Sequence, residues 1–138
     1  MIRITLLSLV AVLMSGCSRS QQTGRTENDL ARQVLGTWQL VQTDGGAVTS
    51  KEAGRLKFFS GNRWIIIQAD PTSGEVIFVH GGTFAIEGDT LVQQVEFAKN
   101  NTINLIGQSH RFHTSVSGES LVQAGIGNRW NETWQRVK

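Results

Sequence analysis

The side chains able to do chemistry are few. Three histidines, His80, His110 and His113, raise the question of a metal. His110 and His113 fall in one extended segment, where side chains alternate, so they point to opposite faces and cannot share an ion without a bulge. Cys17 is the only cysteine, so no thiolate pair completes a zinc or iron site, and no metal is expected. A haem needs a proximal ligand in an apolar pocket. His80, between Phe78-Val79 and Gly81-Gly82, comes nearest, but one histidine in a strand is more often a hydrogen-bonded wall residue, and no cofactor is expected. Glu96 with His80 or His113 could form an acid–base pair inside a closed sheet; nothing in the spacing makes them meet. No Ser-His-Asp arrangement, nucleophile elbow or Gly-rich phosphate loop occurs. An enzyme is therefore not expected.

The elements that must position these residues are strands. Residues 35–43 alternate Trp38 and Leu40 against polar neighbours, and Asp44-Gly45-Gly46 is a turn. Residues 55–59 and 63–69 form a pair around Ser60-Gly61-Asn62. Asp70-Pro71-Thr72-Ser73-Gly74 turns the chain, since proline presets φ and glycine accepts positive φ. Residues 75–86 make a long strand, with a bulge or bend expected at Gly81-Gly82. Glu87-Gly88-Asp89 is a hairpin into 90–97. A polar loop follows, then strands at 108–116, 120–126 and 131–137. About eight short antiparallel strands close most simply into an up-and-down barrel, which removes both exposed edges. Ahead of them, Asn28 could cap a short helical turn through Leu30, Ala31 and Val34.

Composition agrees. The chain has 138 residues, 15 glycines and one proline, which suits one β-rich domain. The net charge is only +2 and no window clusters Lys and Arg, so nucleic acid is excluded as a partner. No apolar run is long enough for a transmembrane helix.

Strand parity proposes a lining. Trp64, Ile66 and Gln68 share a face; so do Phe78, His80 and Phe84 unless the glycines reset the phase. Glu96 goes with Val92 and Gln94, and Trp134 with Glu132 and Arg136. Trp64, Phe78, His80, Phe84, Glu96, His113 and Trp134 are the expected ligand-binding residues. Aromatic walls with a few polar groups suit a small hydrophobic or amphipathic molecule; the alternative is that these side chains simply fill the core.

The N-terminus reads as an export signal. Met1-Ile2-Arg3 is a positive start, residues 4–14 are largely apolar, and Ser15-Gly16-Cys17 ends the stretch. Leu13-Met14-Ser15-Gly16-Cys17 resembles the lipobox of bacterial lipoproteins, with Met14 where leucine is usual. The resemblance implies a signal peptide over 1–16 and diacylation of Cys17, hence a bilayer anchor. Ser18, by similarity to enterobacterial sorting, implies the outer membrane. Residues 17–29, polar beyond the cysteine, read as a tether, and 30–138 as the barrel domain.

Within that domain, Gly36-Thr37-Trp38 resembles the Gly-x-Trp opening of the lipocalin (calycin) superfamily. Pro71-Thr72-Ser73-Gly74, Gly81-Gly82-Thr83-Phe84, Gly88-Asp89, Glu96-Phe97 and Trp134-Gln135-Arg136-Val137 resemble, in order and spacing, small bacterial lipocalin-like domains of largely unassigned function. The resemblance implies that Gly36, Trp38 and Arg136 close one end of the barrel, with the guanidinium over the indole. Two functions follow as expectations: an envelope lipoprotein binding a small hydrophobic or amphipathic ligand, or a filled-core module for protein–protein interaction in the envelope.

Overall fold

The structure is a computed structural model and describes residues 29–138. The expected signal peptide, the lipidation site Cys17 and nearly all of the tether lie outside the described residues.

A helical turn over 29–33 leads into β1 (Gly36–Thr43). The two-residue strand β2 (Gly46–Ala47) folds back on β1. Then come β3 (Arg55–Ser60), β4 (Arg63–Ala69), β5 (Val76–Glu87), β6 (Thr90–Lys99), β7 (Ser109–Ser117), β8 (Ser120–Ile126) and β9 (Asn131–Arg136). Each strand from β3 to β9 pairs antiparallel with the next, β1 pairs with β3, and β9 returns to β1. The result is the expected all-β, eight-stranded up-and-down barrel, with β2 as an addition at its edge. The β2 hairpin is a departure: Asp44-Gly45 carries the turn, leaving Gly46 to pair with Thr43. The loop after β6 is also more ordered than its polar sequence suggests, forming a 3-10 turn at Asn100–Leu105.

The Gly81-Gly82 signal has a steric cause. Gly81 pairs with Phe97 and Gly82 with Val95, so Glu96 is the extra residue of a bulge in β6. A Cβ on Gly82 would stand 2.1 Å from the Gln94 carbonyl oxygen, and one on Gly81 would meet Trp64 O at 2.4 Å. Only hydrogen at both positions allows this close backbone approach.

Alternation along the strands fills one half of the barrel. Trp38, Leu40, Phe59, Leu91, Leu121 and Trp134 are buried there, joined by Leu30 and Val34 from the entering turn. The turn is stitched to the barrel. Trp38 Nε1 donates to Val34 O at 2.7 Å, and Arg136 donates to Leu35 O and Gln33 O at 2.7 and 2.8 Å. The Arg136 guanidinium lies 4.1 Å from the centre of the Trp38 ring. Gly36 has φ 124°, and a Cβ there would come within 2.6 Å of Arg136 Nη1. Glycine thus makes room for the guanidinium at the closed end.

Candidate functional site

The opposite end is open and differently built. β3 enters from this end, and its inward side chains are Arg55, Lys57 and Phe59 in descending order. Register sets Lys57 beside Ile66 of β4 and His80 of β5, one row below Arg55, Gln68 and Phe78. Across the barrel, Gln93 of β6 faces His110 of β7, and Gln123 of β8 pairs with Glu132 of β9. Between these walls lies a cavity of about 180 Å³. Thr102 and Leu105 of the 3-10 turn and Trp130 of the β8–β9 connection frame its mouth.

Lys57 is the central group. Its residue is only 2% exposed. Its ammonium donates to Gln123 Oε1 at 2.6 Å and to Glu132 Oε2 at 3.0 Å, and stands 4.2 Å from the centre of the Trp134 ring. Burial pushes its pKa down from the ordinary lysine value, and the Glu132 carboxylate works against that shift. Arg55 sits above, donating to Gln68 Oε1 at 2.7 Å, with its guanidinium 5.3 Å from the centre of the Phe78 ring. His80 lies between Trp64 and Phe78, with ring centres 5.5 and 5.6 Å away. Desolvation, followed by the nearby charge of Lys57, lowers its pKa to about 4. Burial lowers that of His110 as well. Both imidazoles are neutral near pH 7.

Polar satisfaction separates this end from the other. Among the described residues, the buried side-chain atoms without a hydrogen-bond partner are His80 Nδ1, His110 Nε2, Gln93 Nε2, Gln123 Nε2 and Trp134 Nε1. All belong to residues that line the cavity or touch Lys57. The Gln123 amide orientation follows from its partner: lysine can only donate, so the oxygen faces Lys57 and the NH2 is left over.

The expected site residues divide into four groups. Trp64, Phe78 and His80 line the cavity. Trp134 is fully buried just beneath Lys57. Phe84 belongs to the filled half, edge-on to Phe59 with ring centres 5.1 Å apart. Glu96 and His113 are on the outer surface. Glu96 is exposed at the bulge, bonded to Arg63 and accepting from Thr83 Oγ1 at 2.9 Å. His113 is exposed near Asp89. Placing these two in the lining is corrected by parity: the inward residues of β6 are Leu91, Gln93 and Val95, and those of β7 include His110 and Phe112. Arg55, Lys57, Gln93, Phe112 and Glu132 are lining residues that the sequence reading did not select. Their signal was present: Lys57 shares parity with Phe59, and Glu132 with Trp134, so each strand carries a charge on its apolar face. No group of three or more potential metal ligands occurs among the described residues.

No family model matches the sequence, and no curated protein matches it. The fold does match a solved structure, a lipocalin-like protein from Bacteroides uniformis, with a TM-score of 0.58. The match covers 76% of this chain and 99% of that one at 16% sequence identity. With the closed eight-stranded barrel, this makes the described chain a lipocalin-like domain in fold.

Proposed function

We propose that this chain is a lipid-anchored protein of the bacterial envelope whose barrel holds a small amphipathic molecule in its open end. The carrying observation is the cavity of about 180 Å³, in whose lining the aromatic rings of Trp64, Phe78 and Phe112 are interspersed with the unpartnered buried polar atoms of His80, Gln93 and His110. Buried polar groups are nearly always satisfied, and leaving one unpaired costs about 1–3 kcal/mol. A binding site explains that concentration; a core packed only for stability does not. The volume also bounds the ligand. An apolar cavity of about 150 Å³ holds benzene, so this one suits a single ring or a short chain rather than a whole lipid.

Anchoring rests on the lipobox-like residues ending in Cys17, and Ser18 favours the outer membrane. The described chain starts at the closed end, where Val34 O accepts from Trp38 Nε1, away from the cavity mouth. Full extension from Cys17 to Asp29 reaches about 40 Å, enough for the mouth to face the compartment instead of the bilayer.

Two experiments test this. Native mass spectrometry of the full chain, released from its own host in mild detergent, should show an adduct lost on denaturation. A bare mass, persisting after incubation with host extract, favours the filled-core interaction module instead. Metabolic labelling with radioactive palmitate should mark the wild type and leave Cys17→Ala unlabelled; equal labelling of both would remove the anchor.

A further inference from the structure

We infer that the open-end cavity selects a small organic monoanion, a carboxylate on a single ring or short chain, whose oxygens meet Lys57 and the donors around it. It rests on the carrier reading above and adds the ligand's charge and polar chemistry.

Three of the five orphaned atoms can only donate, while His80 Nδ1 and His110 Nε2 donate or accept according to tautomer. The orphaned atoms of Gln93, Gln123 and Trp134 are all N–H groups, and an amide NH2 or indole N–H can only donate. Gln93 is 2% exposed and lines the cavity. Gln123 and Trp134, both fully buried, touch the Lys57 ammonium. Lysine has three N–H donors, and Gln123 and Glu132 take two of them. Within the lining, Gln93 Nε2 and one N–H of Lys57 are thus left without acceptors, which a carboxylate supplies through two oxygens.

Charge points the same way. Arg55 and Lys57 are the cations in the lining and Glu132 is the acid, an excess of one positive charge while His80 and His110 are neutral. Glu52 lies near Arg55 at 4.0 Å, but it is outside the lining and its carboxylate accepts from Thr49 N and Oγ1. One negative charge on the ligand balances the cavity; a cation would add to the like charges of buried Lys57 and partly buried Arg55. Trp64, Phe78 and Phe112 offer apolar surface for the ligand's body.

The probes are benzoate, benzyl alcohol and benzylamine, of similar size and carrying charges of minus one, zero and plus one at pH 7. Each is titrated into the full chain by calorimetry. Benzoate should bind at 1:1 and at least tenfold tighter than benzyl alcohol, with benzylamine weaker still. Equal binding of benzoate and benzyl alcohol would overturn the anion preference while leaving a carrier in place. Tighter benzylamine would make Glu132 the anchor and also overturn it. Absence of binding by all three, with a bare native mass, would remove the carrier reading as well. The variant Gln93→Leu separates function from folding. It deletes an unpaired buried donor, so it should raise the melting temperature while weakening benzoate at least fivefold. A lower melting temperature with unchanged benzoate affinity would make Gln93 structural and contradict its assigned role.

Discussion

Lys57 and Glu132 meet inside the barrel at 3.0 Å, on strands β3 and β9 that are not neighbours in the sheet. Their contact bridges over β1, which pairs with both strands, so the barrel carries an ion pair where most of its interior carries aliphatic and aromatic packing. Removing Lys57 leaves the largely buried Glu132 with only the longer contact to Arg55 Nη1 at 3.9 Å, a loss of up to about 3–5 kcal/mol. Lys57→Met should therefore lose stability on that scale in urea denaturation. The double variant Lys57→Met/Glu132→Gln should recover most of it, because no unpaired charge remains. A double variant as unstable as the single one would show that the pair is not the source of the loss.

His80 should make stability fall in mild acid. Its folded pKa is about 4, below the ordinary 6.5, so the unfolded chain takes up the proton first. The stability it contributes is complete above pH 6.5 and is lost as pH falls toward 4. Allowing for solvent at its partly exposed edge, the loss is about 2 kcal/mol. His80→Gln should flatten urea-midpoint profiles between pH 6.5 and 4 while leaving the drop below pH 4 caused by Glu52, Asp70 and Glu96. Those carboxylates have lowered pKa values from their hydrogen bonds, and their contribution is lost at lower pH. An unchanged profile in His80→Gln would contradict this origin.

Much of this fold was legible because turns and alternation are local signals. Asp70-Pro71 through Gly74, Ser60-Gly61-Asn62 and Glu87-Gly88-Asp89 each reverse the chain where their residue types require it. The site was less legible. Alternation assigns residues to two faces without saying which face is inward, and the bulge opposite Gly81-Gly82 shifts that phase part-way along a strand pair. Glu96 does share a face with Val92 and Gln94, and that face is the outer one. Lys57 was overlooked because a lysine in a strand ordinarily marks the solvent face. Only the register that brings Gln123 and Glu132 to it from β8 and β9 makes an inward lysine tolerable.

Arg136 should matter for stability and not for binding. It holds the entering turn by two carbonyl contacts and covers Trp38. Losing charged hydrogen bonds and a cation–π contact amounts to about 2–4 kcal/mol. Arg136→Ala should lower the urea midpoint accordingly while benzoate affinity stays within twofold, since the cavity is at the other end. A large affinity loss at full folding would show coupling between the ends.

Gly82→Ala should be among the most disruptive single-methyl changes in the barrel. The new Cβ would stand 2.1 Å from Gln94 O and 2.9 Å from Glu96 N, and both are backbone atoms that move only if β5 and β6 separate. A loss of about 3 kcal/mol or more is expected, measured by thermal melting followed by circular dichroism. Near wild-type melting would mean that the bulge can relax without cost.

The four tryptophans test the central claim most directly. Trp64 and Trp130 line the cavity, Trp134 lies under Lys57 with an unpaired Nε1, and Trp38 is sealed at the closed end with its Nε1 bonded to Val34 O. Their indole N–H signals can be assigned by single Trp→Phe substitutions in proton–nitrogen correlation spectra and followed while benzoate is added. The expected result is saturable movement of the Trp64, Trp130 and Trp134 signals, with Trp38 still. Movement confined to Trp38, or no saturable movement at all, would contradict a ligand site in the open end of the barrel.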